Sequence, residues 1–276
     1  MSISIDNAFV KQFEREVFEA YQRMGSKLRA RVRSKNNVKG SSTVFQKVGA
    51  GTASTKSTHG MVPVMNLSHT AIEAVLYDYY AGDWIDKLDE LKVNHDERQV
   101  IANAGAYALG RKTDELIINA LTASTNAVSD SAAGMSLDKV LEAFQLLGNA
   151  EVPDDGQRTA VVGWKQWSQL LSIPEFASAD YVGEDQMPFK GTQAKQWLGT
   201  LWMPHSGLPI NNTTGVRKCF WFHKTAIGHA SGADVETDIT WHGDRAAFFV
   251  NNMMSQGASL IDQSGVVVMT CDETPA

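Results

Sequence analysis

Cysteines are scarce in this 276-residue sequence, and long apolar runs are missing. Cys219 and Cys271 are the only two cysteines, which is too few for a disulfide framework, and neither has another Cys or His at zinc-binding spacing. No stretch reaches the roughly 18 apolar residues of a membrane-spanning helix. Residues 1–16 carry charges where a signal peptide has its apolar centre. We therefore expect two ordinary thiols in or near strands, synthesis in the cytoplasm and no contact with a membrane.

Motifs for catalysis or ligand binding are also missing. The segment Gly49–Ser57 ends in Lys-Ser, but a phosphate-binding loop needs glycine directly before the lysine and a helix after it. The run Gly228–Gly232 is out of register with the nucleophile elbow of hydrolases, and Asp154–Gly156 supplies only part of a calcium loop. The histidines are scattered, with no pair at helical metal-binding spacing: His59, His69, His95, His205, His223, His229 and His242. We therefore predict no catalytic, cofactor-binding or metal-ligating residues, and no enzymatic activity.

The tryptophans leave one enzymatic alternative open. A pocket lined by tryptophan within residues 160–222 could hold a sugar or a base, although tryptophans more commonly anchor a core or an interface. The residues concerned are Trp164, Trp167, Trp197, Trp202 and Trp221. The acidic pair Asp114–Glu115 is interpreted as a solvated helix face rather than as chemistry.

Charge is distributed very unevenly along the chain. Residues 1–56 hold 11 Lys and Arg against 4 Asp and Glu, whereas the remainder holds 14 basic and 27 acidic residues. Such a basic arm could bind nucleic acid, or it could lie on the acidic body of a neighbouring copy. The run from Lys27 to Lys39 contains no aromatic residue for base stacking. We therefore favour the second interpretation.

The first third of the chain contains two parts that cannot bury themselves. Apolar residues recur at helical spacing over 6–33, and the spacing becomes extended at Arg29–Arg33. Residues 34–70 are rich in Ser, Thr, Gly and Asn, with two short runs typical of strands, Thr43–Val48 and Met61–Met65. These runs predict a long two-stranded loop. An isolated ribbon of this kind is only marginally stable in water, so we expect it to lie on a partner subunit.

A very long helix is predicted over 94–123. Asn94 followed by Glu97 resembles a capping box, and Asp96 and Glu97 place negative charge at the positive end of the helix dipole. Its first half is crowded with small residues, including Gly105 and Gly110, although each interior glycine costs a helix about 1 kcal/mol. We therefore expect this helix to pack closely against another surface.

The remaining elements follow from periodicity and turn residues. Residues 136–234 have the pattern of a compact α/β unit, with a helix capped by Ser136. The predicted segments are strands over 70–80, a soft linker over 124–134, a helix over 136–147, a strand over 159–162, a helix over 164–173, a loop-rich stretch over 175–215, a strand over 216–222, alternating strands over 235–262 and a buried strand over 265–271.

The order of these parts resembles the major capsid protein of tailed phages, with the Hong Kong 97-like fold. The helix run Asp96–Leu116 is similar to the spine helix of that family. The closing pattern is similar too, and it consists of Val235–Thr240, Asp244–Arg245, Phe248–Phe249 and Val266–Met269. The resemblance covers the whole chain and implies an α+β fold. Its parts would be an N-terminal arm (1–35), an extended β-hairpin loop (36–69), a peripheral domain (70–130 and 235–262) with spine helix 94–123, and an axial α/β domain (131–234 and 263–276).

This resemblance implies a structural function. The protein would assemble into hexamers and pentamers of an icosahedral head around double-stranded DNA, in the host cytoplasm first and in the virion finally. Its partners would be copies of itself, a portal protein and the packaged DNA. Some members of the family begin with a cleaved scaffolding segment, whereas here the arm begins at once, so we expect a separate scaffolding protein. The alternatives are an encapsulin-type compartment shell and a nucleic-acid-binding protein that acts through its basic arm.

Overall fold

The computed structural model describes residues 25–90, 96–128, 134–177 and 194–273. The helices are α1 (Lys87–Glu90), α2 (Glu97–Thr122), α3 (Leu137–Asn149), α4 (Trp164–Leu171) and α5 (Pro174–Ala177). The strands are β1 (Arg33–Lys35), β2 (Ser42–Val48), β3 (His69–Val75), β4 (Tyr77–Asp86), β5 (Arg158–Val162), β6 (Lys195–Trp197), β7 (Thr200–Pro204), β8 (Ile210–Asn211), β9 (Val216–His223), β10 (Ile227–His242), β11 (Ala247–Leu260) and β12 (Val266–Asp272).

The described residues form two compact units. The first unit comprises 25, 78–90, 96–112 and 233–254, and the second comprises 26–77, 113–128, 134–177, 194–232 and 255–273. Helix α2 and strands β10 and β11 therefore each contribute residues to both units. None of the helices in the described part of the chain is long and apolar enough to cross a membrane.

A sheet in the order β12-β9-β5-β7-β6 forms the centre of the second unit, with β8 paired to β9. Strand β5 runs parallel to β7 and antiparallel to β9. All five residues of β5 are buried, and so are most of β12. Both runs are rich in valine, as expected for strands covered on two faces. These two strands confirm the predicted strands over 159–162 and 265–271. Helix α3 confirms the predicted helix capped by Ser136, whose side chain accepts a hydrogen bond from the backbone N–H of Lys139.

Aromatic side chains fill the core beside this sheet. Trp202 and Trp221 are fully buried, with ring centroids 5.0 Å apart, and Phe176 packs edge-on against Trp202. The indole N–H of Trp202 donates to the carbonyl of Trp197, and that of Trp221 donates to the Thr200 hydroxyl. Because both polar atoms are satisfied, burial of each ring stabilises the core by roughly 1.5–3 kcal/mol. Trp202 and Trp221 are therefore core residues.

The two cysteines lie in neighbouring strands, β9 and β12, and both are buried free thiols. Burial, together with the adjacent Cys271, raises the pKa of the Cys219 thiol well above its ordinary value. A neutral buried thiol behaves as a small apolar group, which confirms the prediction for these residues.

Helix α2 closely matches the predicted 94–123. The predicted cap, Asn94, lies outside the described residues. The helix begins at Glu97, and the Asp96 carboxylate accepts a hydrogen bond from the backbone N–H of Gln99 at 3.4 Å. Asp96 therefore occupies the capping position, with its negative charge at the positive end of the helix dipole.

Gly105 explains how the first unit packs. A Cβ atom added there would lie 2.9 Å from Cγ of Asn252 and 3.1 Å from the carbonyl of Ala81, so only glycine fits. The Asn252 amide donates to that same carbonyl at 3.2 Å and accepts from the Thr237 hydroxyl at 2.6 Å. The helix, β4, β10 and β11 meet at this point, which confirms the close contact predicted for Gly105.

The hairpin pairs differently from the sequence-based prediction. Strand β2 matches the predicted run, but its antiparallel partner is β3, with Ser42 opposite Val75 and Val48 opposite His69. The predicted strand Met61–Met65 is wrong, since these residues are irregular and exposed. Pro63 has no N–H to donate to a ladder, whereas in β3 the alternation places Ile72 and Ala74 on the covered face.

Further segments are more ordered than their sequences indicate. Residues 175–215 were predicted to be loop-rich but contain α5, β6, β7 and β8, and the predicted linker 124–134 forms a parallel bridge between Ala127 and Val268. Strand β10 begins at Ile227, before the predicted 235. For β6, β8 and Ala127, a strand elsewhere in the chain supplies hydrogen-bond partners that cannot be identified from the local sequence.

Most of the predicted helix over 6–33 lies outside the described residues. Within the described part, Arg29–Arg31 form a 3₁₀ turn and β1 follows at Arg33. Strand β1 runs parallel to β10, with Arg33 opposite Gly228. The predicted bounds are therefore wrong in the described part: residues 25–28 are irregular, Arg29–Arg31 are still helical, and the extended run begins only at Arg33.

Candidate assembly surfaces

The basic arm is attached to the second unit through Asp114. The Ser26 hydroxyl donates to one oxygen of this carboxylate at 2.6 Å, and the backbone N–H groups of Lys27 and Leu28 donate to the same oxygen at 3.1 and 3.0 Å. Leu28 and Val32 then enter the core, where both are almost fully buried. Three hydrogen bonds and two apolar side chains thus fix residues 26–32 in one position.

His205 completes the arrangement from the other side of the carboxylate. Its Nδ1 lies 3.1 Å from the backbone N–H of Gly207, so that nitrogen accepts and the other carries the proton. The Nε2–H therefore donates to Asp114 at 3.0 Å. Burial raises the pKa of Asp114, but hydrogen bonds from His205, Ser26, Leu28 and Lys27 together outweigh it and hold the pKa below its ordinary value. The carboxylate is ionised and fully enclosed.

The interpretation of Asp114 as a solvated residue is wrong. Its neighbour Glu115 is exposed, as predicted, but Asp114 shares a helix face with Ile117, Ile118 and Leu121, all of them buried. Positions three, four and seven residues apart lie on one side of a helix. The spacing of Asp114 from these apolar residues indicates a buried carboxylate. Treating Asp114 and Glu115 as one exposed acidic pair led to the wrong prediction.

The paired strands β2 and β3, the root of the extended hairpin, pack against other residues of the second unit. Phe45 is buried among Ala74, Leu76, Ala230 and Ile261. Gly228 makes room for it, because a Cβ atom there would lie 2.6 Å from the Phe45 ring. The ammonium group of Lys47 also lies 2.7 Å from the carboxylate of Asp262. Burial raises the pKa of Asp262, but hydrogen bonds from Lys47 and Ser264 lower it below its ordinary value.

The tip of the same hairpin, residues 49–68, exposes its apolar side chains to solvent, whereas the root buries Phe45. Met61 has 94 % of its side chain exposed, Val64 has 81 % and Val62 has 75 %. On the outward face of the paired strands, Val44 and Val48 are exposed as well. Contiguous apolar surface of this kind marks an interaction site on soluble proteins, since exposing it to water is unfavourable.

The structure also places the segments considered for chemistry. Gly49–Ser57 lies in the hairpin tip with no helix after it, and Gly228–Gly232 lies inside β10. Asp155 accepts hydrogen bonds from the backbone of Gln157 and from His223, which lower its pKa in that order. Within the described ranges no group of His, Cys, Asp and Glu could hold a metal ion.

A family model described as phage capsid protein matches residues 5–273. The chain belongs to the phage capsid protein family. This capsid protein is therefore a structural component of the phage head, and its final location is the capsid of the virion. A search of curated protein sequences finds no match.

Solved capsid structures have the same fold. A Mycobacterium phage Che8 chain matches with a TM-score of 0.71 at 18 % identity, covering 96 % of this chain and 98 % of that one. The cyanophage P-SCSP1u capsid gives 0.73 at 16 % identity, with 99 % and 96 % covered. The Ralstonia phage GP4 capsid gives 0.69 at 14 % identity, with 100 % of both chains covered. The predicted Hong Kong 97-like fold is thereby confirmed.

Proposed function

We propose that this capsid protein assembles into the hexamers and pentamers of an icosahedral head that encloses double-stranded DNA. The observation that carries the proposal is the hairpin tip, which exposes Met61, Val62 and Val64 on a rigidly held root. Covering each such side chain contributes roughly 1.5–3 kcal/mol. The cover comes from the adjacent subunit, on which the loop lies.

The two units have separate roles in this proposal. The first contains much of the peripheral domain, expected at 70–130 and 235–262, and the six-stranded sheet of the second belongs to the axial domain around the local symmetry axis. The arm, held at Asp114, runs along the subunit border. Support comes from the matched capsid structures, which cover nearly the whole chain.

Other partners follow from the same function. A separate scaffolding protein directs assembly, a portal protein occupies one vertex, and DNA lies against the inner surface without specific contacts. The protein acts without catalysis. Support for this comes from Asp114 and His205, the enclosed ionisable pair, which have a structural use in holding the arm.

Electron microscopy of the expressed protein, with and without its scaffolding protein, tests the proposal. We expect shells or capsomers from the wild type. The double substitution Met61→Ser with Val64→Ser should prevent them while leaving the melting temperature unchanged, because both side chains are already exposed. Ser54→Ala, at another exposed position of the tip, is the control and should assemble normally.

Three outcomes would contradict the proposal. A wild-type protein that stays monomeric at high concentration with scaffolding protein present would overturn it. Tip variants that assemble as well as the wild type would exclude the loop as the carrier of assembly. Particles isolated from the native source with an enzyme inside instead of DNA would identify an encapsulin-type compartment.

A further inference from the structure

A basic cleft lies in the second unit, beside the arm. Its volume is about 560 Å³. One wall is formed by Arg29, Ala30, Val32, Arg33 and Ser34 of the arm, and the other by Gln157, Lys224 and Thr225. The backbone N–H of Lys224 donates to the carbonyl of Gln157 at 3.2 Å, which fixes the second wall. The first wall is fixed by the burial of Val32 in the core. The cleft is therefore built from anchored backbone on both sides.

Three cationic side chains line this cleft, namely Arg29, Arg33 and Lys224. Arg33 lies over the ring of Phe45, with its guanidinium carbon 5.6 Å from the centroid. Stacking of this kind restricts the guanidinium to fewer orientations. From Gly25 to Lys39 the chain carries six basic residues and no acidic residue. This concentration of positive charge favours an anion as the occupant of the cleft.

Carboxylates fit the cleft better than nucleic acid does. Among the residues that the structure describes, no aromatic side chain lines it, so these residues offer no platform on which a base could stack. A volume of about 560 Å³ admits a few side chains, whereas duplex DNA could present only the edge of its backbone. The shape thus favours a narrow acidic segment of a protein.

The first unit of the same chain carries such a segment. Its described residues include 11 acidic and 5 basic side chains. In β10, every residue from Asp234 to Trp241 is exposed. Asp234, Glu236 and Asp238 alternate along this strand, so they share one face with about 7 Å between successive Cα atoms. We call these three residues the acidic ladder.

We infer that the basic cleft of one subunit binds the acidic ladder of a second copy, through Arg29, Arg33 and Lys224 on one side and Glu236 and Asp238 on the other. The inference rests on the proposed function, since only an assembly brings the two surfaces of different copies together. The Thr240 hydroxyl donates to Asp238 at 2.9 Å, which orients that carboxylate before binding. An ionic contact of this kind speeds association and fixes register between subunits.

A charge exchange tests the inference, because both partners are encoded in one chain. Lys224→Glu alone and Glu236→Lys alone should each lower the assembled fraction, on the order of tenfold, by placing like charges opposite each other. The double variant Lys224→Glu with Glu236→Lys should restore assembly. Lys39→Glu, the same charge change at an exposed site outside the cleft, is the control and should assemble like the wild type. Sedimentation and electron microscopy give the assembled fraction, and melting temperatures show that each variant is folded.

Each outcome has a defined meaning. Restoration by the second substitution supports the pairing, as does a wild-type assembly rate that falls with added salt. If both single variants are folded and impaired but the double variant is not restored, the pairing is wrong. If Lys224→Glu assembles normally but the heads retain less DNA, the cleft binds phosphate and the inference is overturned. If the wild type forms no shells even with scaffolding protein, the proposed function fails and the inference fails with it.

Discussion

Asp114 carries a charge and has no exposed surface, whereas Met61 is apolar and has 94 % of its side chain exposed. The arm attachment and the hairpin tip thus depart from the usual distribution of polar and apolar groups in opposite directions. The partners of Asp114 are all in its own chain: Ser26, Lys27, Leu28 and His205. Under the proposed function, the partners of Met61 lie in the adjacent subunit. The first arrangement stabilises the subunit, and the second is available for assembly.

The largest effect is expected at Asp114. Asp114→Ala leaves the N–H groups of Lys27 and Leu28 and the His205 ring without their acceptor in the interior, which should cost about 3–5 kcal/mol of the free energy of unfolding. Denaturant unfolding followed by fluorescence measures it. Glu115→Ala, at the exposed neighbouring position, should change the free energy by less than about 0.5 kcal/mol. Equal losses in the two variants would show that the arm attachment contributes nothing.

A second test concerns the packing of the first unit at Gly105. Gly105→Leu forces a side chain against Asn252 and Ala81, so the free energy of unfolding should fall by about 1–3 kcal/mol. Gly148, near the end of α3, is the matched control, since an added Cβ there meets nothing within 4 Å. Gly148→Ala should be neutral or stabilise by up to about 1 kcal/mol, because alanine restricts the unfolded chain. Similar gains at both glycines would mean that helix propensity alone decides, because Leu and Ala both favour a helix more than Gly does.

The third test uses pH to examine the same attachment. The pKa of Asp114 is lower in the folded state than in the unfolded state. Its contribution is therefore complete above the ordinary aspartate pKa and is lost as the pH falls through the lowered, folded-state value. Each unit of lowering corresponds to about 1.4 kcal/mol. Below about pH 4, the melting temperature of the wild type should fall with decreasing pH more steeply than that of Asp114→Asn. Parallel curves would exclude Asp114 as a source of the acid sensitivity.

The smallest effect is expected where the hairpin root meets Asp262. Lys47→Ala removes an ion pair whose side chains are 39 % and 33 % exposed, so the loss should be only about 0.2–1 kcal/mol and should disappear at high salt. Thermal unfolding at low and high salt measures this difference. Phe45→Ala, at the buried residue of the same strand, is the comparison and should cost about 3–5 kcal/mol. A salt-independent loss at Lys47 would indicate packing rather than charge.

Periodicity along the sequence was sufficient to predict an element where the spacing of apolar residues within the segment favours one kind of structure. The spacing of small and apolar residues predicted α2, and the valine-rich runs predicted β5 and β12. The exposed tip and the basic segment were also predicted, because neither has an apolar face of its own. Pairing was harder, as the hairpin shows: Met61–Met65 has β-forming residues, but the partner of β2 is His69–Val75. Local propensity cannot identify which of two nearby runs will cover Phe45.

What the sequence by itself determined was the order of the parts, the long helix and the two surfaces left uncovered. Hydrophobic spacing and charge are local properties, and they survive without knowledge of distant residues. Only the tertiary structure decided that Asp114 is enclosed, that Gly105 is in contact with Asn252, and that Arg33 and Lys224 face one cleft. Those facts depend on residues about 90 to 190 positions apart meeting in space, and side-chain chemistry alone does not reveal which residues will meet.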